Sequence, residues 1–175
     1  MPTEHEFKYL IKTDSFQEFF KNPKNFHDIE QGYLESKEST LRIRRVTDKF
    51  ENIQWFFTFK QKVNNRIIEI ENQIDARDGE DLWGQCKRKL QKRRYFRTTK
   101  AGKWDIDFFH SDSRIYLALA EIELEEGAPR PSFSQFPIEL TNKIVKKVDL
   151  TDERFCNKLL GNVEYAKALY ELKEE

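Results

Sequence analysis

Apolar and polar side chains alternate along most of the first three quarters of the chain, and a period of two marks a strand with one buried face. The alternating segments run from Glu4 to Lys12, Phe26 to Glu35, Thr40 to Val46, Ile53 to Lys62, Arg66 to Ile74, Leu90 to Thr98, Lys103 to Phe109 and Arg114 to Glu125. That makes about eight strands. Asp48-Lys49, Asn64-Asn65 and Ala101-Gly102 stand between consecutive segments with the residues of tight hairpins, so the sheet is expected to be largely antiparallel. Helical spacing takes over in three places. Asp14 or Ser15 can cap a short helix carrying Phe16, Phe19 and Phe20, and Asp78 to Lys89 carries Leu82, Trp83 and Cys86. From Asp152 onward, Phe155, Leu159, Leu160, Ala166, Leu169 and Leu172 mark a helical tail, after Gly127-Ala128-Pro129-Arg130-Pro131 has broken the last strand. Neither a repeat nor a low-complexity tract intervenes, and the expectation is one α+β domain over residues 1–175.

Composition narrows the function. With 38% hydrophobic and 14% aromatic residues, a chain of 175 residues can bury a core. Its 31 basic and 31 acidic side chains cancel, which argues against a membrane binder or a general nucleic-acid binder, both of which carry excess positive charge. Any anion site must therefore be local. Cys86 and Cys156 lie far apart without metal or redox spacing and are read as reduced, structural thiols. The N-terminal Met1-Pro2-Thr3-Glu4-His5-Glu6 has no signal-peptide character, and no run is long enough to span a bilayer, so a cytoplasmic location is expected. His5, His27 and His110 are scattered, and they are assigned to surface or packing roles; Trp55, Trp83 and Trp104 are assigned to packing rather than base stacking. Monomer and homodimer both remain open.

What changes the picture is the identity of the polar partners in the alternation. Glu4, Glu6 and Lys8 share one face of the first segment, Arg42 and Arg44 a face of the third, Glu69 and Glu71 a face of the fifth. Lys92 with Arg94, Asp105 with Asp107, and Glu121, Glu123 with Glu125 continue the rhythm. A solvated face would explain any one strand. Paired like charges on strand after strand repel, however, unless something of opposite sign stands between them. If the strands closed into a barrel, these faces would point inward and the apolar faces outward, under the helices. Lys8, Arg42, Arg44, Lys60, Lys92 and Arg94 are donors suited to phosphate oxygens, and the carboxylate pairs are hard ligands suited to Mg²⁺ or Mn²⁺. A polyphosphate bound with a metal ion is the guest those charges call for.

Glu4-His5-Glu6-Phe7-Lys8 is an E-x-E-x-K signature near the N-terminus. It is followed in order by Leu41-Arg42-Ile43-Arg44, Thr58-Phe59-Lys60, Glu69-Ile70-Glu71, Lys92-Arg93-Arg94-Tyr95, Trp104-Asp105-Ile106-Asp107 and Ala120-Glu121-Ile122-Glu123-Leu124-Glu125. This series resembles the triphosphate tunnel metalloenzymes, also called CYTH domains, and the stretch from Val148 to Asn157 is similar to a segment of the family's short bacterial members. The resemblance implies a closed, eight-stranded antiparallel tunnel with helices packed outside it. It gives Lys8, Arg42, Arg44, Lys60, Lys92 and Arg94 the task of gripping the triphosphate. Glu4, Glu6, Glu121 and Glu123 would hold the metal, while Glu69 and Glu71, with Asp107, would serve a second metal or the attacking water. Two positions depart from the family pattern. Arg66 lies three residues before Glu69 instead of two, so either a bulge intervenes or Arg66 faces outward, and Phe155 stands where a Tyr is common.

The activity implied is metal-dependent hydrolysis of a triphosphate, inorganic triphosphate first, with Glu69, Glu71 and Lys8 as the catalytic residues and a triphosphate-containing small molecule as the partner. The competing readings are a class IV-type adenylate cyclase, a thiamine triphosphatase and a polyphosphate-binding module without catalysis. Replacing Lys8 or Arg44 by Ala should abolish turnover with little loss of fold, because an inward charge adds little to apolar packing.

Overall fold

The computed structural model describes residues 4–149 and 151–172. Its strands are β1 (Glu4–Ile11), β2 (Phe26–Leu34), β3 (Thr40–Asp48), β4 (Ile53–Val63), β5 (Arg66–Ile74), β6 (Arg88–Thr99), β7 (Gly102–Ser111), β8 (Arg114–Glu125) and β9 (Ile144–Val148). The helices are short: α1 (Phe16–Lys21), α2 (Ala76–Gln85), α3 (Asn157–Leu160) and α4 (Val163–Ala168). Contacts gather the chain into two compact units, Met1–Phe26 with Arg93–Glu175, and His27–Lys92.

In the larger unit, antiparallel pairing joins β7 to β8, β8 to β1, and β1 to β9. One face of this sheet is the core. Phe7, Tyr9 and Ile11 of β1 cluster with Trp104, Ile106 and Phe108 of β7, Ala118, Ala120 and Ile122 of β8, Tyr95 of β6 and Phe19 of α1. Trp104 is fully buried and its Nε1 donates to Thr99 Oγ1, which satisfies the one polar atom it takes into the core. Since period two sends alternate residues to opposite faces, Glu6, Lys8, Asp105, Asp107, Glu121 and Glu123 stand together on the other side.

The smaller unit is a meander in which β2 pairs with β3, β3 with β4, and β4 with β5. Its core is Ile43, Trp55 and Cys86, packed by Leu82 and Trp83 of α2 together with Phe57 and Ile74. Gly79 brings the backbone of α2 directly onto the Trp55 ring, where any β-carbon would collide with the indole. The β4–β5 hairpin turns on Asn64 and Asn65 at φ 49° and 63°, the left-handed pair that a two-residue loop requires. At the β3–β4 hairpin, the Asp48 carboxylate accepts from the backbone N–H groups of Phe50 and Asn52 and from Asn52 Nδ2. The Asn52 amide, followed by those backbone donors, holds Asp48 below the usual aspartate range. A depressed carboxylate stabilises the fold above its unfolded pKa and loses that contribution as pH falls through its folded pKa. Asp48→Ala should thus melt below the wild type at pH 7 and level with it in strong acid, as followed by circular dichroism; an equal gap at both pH values would contradict the capping role.

Several expectations need correcting. There is a ninth strand, β9, whose run Ile144-Val145-Lys146-Lys147-Val148 is short and does not alternate, so it left no period-two signal. It also bears on closure. β9 occupies the second hydrogen-bonding edge of β1, the edge that a closed eight-stranded barrel would need, and among the described residues β5 and β9 each have one strand neighbour. The described strands are an antiparallel sheet with two open edges, not a closed eight-stranded barrel. The second helix runs Ala76–Gln85 instead of Asp78 to Lys89, because the Asp75 side chain caps it by accepting from Asp78 N and the backbone turns extended at Cys86. The C-terminal tail is helical as expected, in two short pieces, α3 and α4, separated by Gly161 and Asn162. Cys86 is buried but Cys156 is exposed, and both are free thiols. Among the described residues, no helix is long and apolar enough to cross a membrane.

Candidate active site

Each unit carries a charged cluster built by strand register. In the larger unit, Asp105, Glu121 and Lys8 form one row across β7, β8 and β1, and Glu6 faces Glu123 in the next. Lys8 Nζ lies 3.1 Å from Glu6 Oε1, 3.2 Å from Glu121 Oε1 and 3.4 Å from the carbonyl oxygen of Phe155. Burial opposes the charge on Lys8, but Glu121 and then Glu6 outweigh it, so its pKa is raised and the ammonium persists. Arg94 forms a fork on Asp107, Nε to Oδ1 and Nη2 to Oδ2 at 2.7 Å each, while Nη1 reaches Asp105 Oδ2 at 2.6 Å. Asp107 is fully buried, and its two bonds from Arg94 help make a charge there tolerable. For Asp105 burial prevails over Arg94, and its pKa is raised.

In the smaller unit, Tyr33, Arg42, Thr58 and Glu71 occupy one row across β2, β3, β4 and β5, and Gln31 faces Arg44 in the row beside it. Arg42 Nη2 lies 2.8 Å from Glu71 Oε2 and 3.6 Å from Glu69 Oε1. Arg44 Nη1 approaches the same Glu71 oxygen at 3.8 Å, and Lys60 Nζ pairs with Glu69 Oε2 at 3.0 Å. Burial would raise the pKa of Glu71, but the hydrogen bond from Thr58, then Arg44 and Arg42, leave it lowered, so the group is a carboxylate at neutral pH. Lys92, on β6, is completely buried.

The residues singled out from sequence are thus placed in two groups: Glu6, Lys8, Arg94, Asp107, Glu121 and Glu123 in the larger unit; Arg42, Arg44, Lys60, Glu69, Glu71 and Lys92 in the smaller. The side chain of Glu4 lies outside the described residues, although its backbone begins β1. Acids and bases do not segregate within either cluster; Lys8, Arg42, Arg44, Lys60 and Arg94 each sit against a carboxylate, which relieves the repulsion that like charges on one strand would otherwise incur. The β4–β5 register runs without a bulge, and Arg66 falls on the face opposite Glu69 and Glu71, which removes it from the cluster. Gln31, Tyr33 and Thr58 also belong to the charged face, and a search for charge alone passes over them. The signal was available in the alternation, which puts Gln31 and Tyr33 in phase with each other and Thr58 in phase with Lys60.

A cavity of about 390 Å³ opens in the larger unit, lined by Glu6, Asp105, Glu121, Glu123, Glu125 and Lys103. Glu121 Oε1 is buried within it and makes no aligned hydrogen bond, although the Lys8 ammonium is near enough for charge pairing. No three acidic, histidine or cysteine side chains among the described residues already converge as a metal cage. The donor set nevertheless suits a hard divalent cation: several carboxylates in one cavity, one of them, Glu121, with a buried oxygen that makes no aligned hydrogen bond. Mg²⁺ characteristically takes only one or two carboxylates and completes its shell with water and phosphate oxygens.

No family model matches the sequence, and no curated protein matches it. Solved structures do match. A Pyrococcus horikoshii protein superposes with a TM-score of 0.51 at 20% identity, over 71% of this chain and 80% of its own. A candidate adenylate cyclase from Bacillus halodurans gives 0.51 at 17%, over 70% and 80%. A candidate adenylyl cyclase from Hippeastrum, described as having a dominant triphosphatase activity, gives 0.52 at 14%, over 71% and 80%. These neighbours are CYTH-type proteins, and the chain shares their fold.

Proposed function

We propose that this chain, with the fold of the CYTH-type triphosphate tunnel proteins, hydrolyses a triphosphate, inorganic triphosphate above all, to pyrophosphate and orthophosphate with Mg²⁺ or Mn²⁺. The observation that carries the reading is the face of the larger sheet, where the charged Lys8 and Arg94 stand among Glu6, Asp105, Asp107 and Glu121 beside a carboxylate-lined cavity. Glu6, Glu121 and Glu123 are the residues that would hold the metal, which would neutralise charge on the phosphate oxygens and fix their orientation. Lys8 and Arg94 are assigned to phosphate oxygens, as are Arg42, Arg44, Lys60 and Lys92 of the smaller unit.

The reaction breaks the bond between a terminal phosphorus and its bridging oxygen as water adds in line, and the pyrophosphate leaves with the electron pair. Glu71, with its lowered pKa, is a poor proton acceptor but a firm hydrogen-bond acceptor, so its assigned role is to orient the water, with Glu69 beside it. A raised pKa keeps Lys8 cationic, able to stabilise the charge that develops on the phosphate oxygens.

Cyclisation of ATP is the competing chemistry. The Hippeastrum neighbour, named as a candidate cyclase yet reported as predominantly a triphosphatase, favours hydrolysis. Product analysis with ATP separates the two: orthophosphate release fits the proposal, whereas cyclic AMP with pyrophosphate would move the assignment to a cyclase.

A further inference from the structure

Two uncharged side chains on the charged face of the smaller unit are as buried as the core itself, Thr58 at 1% exposure and Gln31 at 0%. A buried hydroxyl or amide costs stability unless its bonds are made, and here they are made to the charged groups. Thr58 Oγ1 accepts from Arg42 Nε at 3.2 Å and from Arg42 Nη2 at 3.0 Å, and it donates to Glu71 Oε2. Chemistry fixes those directions, since a guanidinium cannot accept and an ionised carboxylate cannot donate. Gln31 repeats the device beside it: its Oε1 accepts from Arg44 Nε at 3.1 Å, and its Nε2 donates to the Tyr33 hydroxyl. The register puts each anchor directly opposite its arginine, Thr58 facing Arg42 and Gln31 facing Arg44.

We infer that Thr58 is a positioning residue, whose hydroxyl locks the Arg42 guanidinium and the Glu71 carboxylate into one orientation before any triphosphate arrives, and that Gln31 does the same for Arg44. This rests on the proposed function for what the oriented groups act upon. The physical reason is preorganisation. Arginine and glutamate have many rotamers, and a strand face alone sets the root of the side chain but not its tip. Without the anchors, ordering those tips would fall on the binding step and be subtracted from affinity and rate. Thr58 also keeps Arg42 and Glu71 from pairing by direct contact alone, because its oxygen takes the Nε edge of the guanidinium.

Valine has the shape of threonine without the hydroxyl, and serine has the hydroxyl without the methyl. Two readouts on Thr58→Val, Thr58→Ser and the wild type test the inference. The first, which needs no substrate, is the solvent exchange of the Arg42 Nε–H proton followed by NMR. Slow exchange in the wild type and the serine variant, with fast exchange in the valine variant, is the expected result. The second is kcat/KM for inorganic triphosphate, which should fall by about 10- to 100-fold in Thr58→Val, the effect of deleting a hydrogen bond to a charged group, and recover in Thr58→Ser. Unchanged Arg42 exchange in Thr58→Val would overturn the inference, as would a serine variant as impaired as the valine one. A wild-type protein that leaves triphosphate intact, with Arg42 exchange responding as expected, would sink the functional reading while upholding the anchor itself. Gln31→Leu, read on the Arg44 Nε–H, checks the second anchor by the same criteria.

Discussion

Replacing Arg94 by alanine should eliminate triphosphate turnover and also cost the fold about 3–5 kcal/mol, the range for removing one partner of a buried ion pair. The stability loss comes from what stays behind. Asp107 has no solvent exposure, and both its carboxylate oxygens accept from Arg94; Asp105, already raised in pKa by burial, would lose the same guanidinium. For a chain of this size that penalty lowers the melting temperature by roughly 6 °C or more. Arg94→Lys restores a charge but not the fork, since one ammonium cannot reproduce two parallel bonds to Asp107, and it should recover only part of the stability. Thermal melts of the three proteins check this. An Arg94→Ala variant as stable as the wild type would show that Asp107 is not the dependent partner the geometry makes it.

Lys8→Ala is expected to behave differently, with a turnover loss of about 10²- to 10³-fold, the effect of removing one preorganised charged donor, and a much smaller change in stability. Lys8 is itself penalised by burial, one of its partners, Glu6, is largely exposed, and Glu121 keeps Arg94 at 3.8 Å after the ammonium is gone. The two substitutions would therefore separate a charge proposed to serve the chemistry from one that the fold also needs. Steady-state rates alongside melts make the comparison. Equal destabilisation by both would contradict it, and full activity in Lys8→Ala would remove Lys8 from the site.

Strands were the legible part of this sequence because alternation is a local signal: β1 through β8 all lie where period two put them, to within a few residues at the ends. β9 was not legible. Five residues with two adjacent lysines carry no period, and what makes them a strand is the free edge of β1, a tertiary fact. The same strand decides against closure into a barrel, so the error about closure and the missed strand have one cause. In the site, charge was legible and pairing was not. The alternation placed Lys8 with Glu6, and Arg42 with Arg44, on shared faces, but which acid answers which base depends on cross-strand register, such as Lys8 opposite Glu121 and Lys60 opposite Glu69. Thr58 and Gln31 escaped for a related reason, since an uncharged residue on a charged face looks incidental until its neighbours across the ladder are known.

Phosphorus NMR of the purified protein with inorganic triphosphate, with Mg²⁺ or Mn²⁺ and again with a chelator, asks whether these charges serve to cut a triphosphate. The expected result is triphosphate resonances replaced by those of pyrophosphate and orthophosphate only where the metal is available. Triphosphate left intact under every metal condition would contradict it.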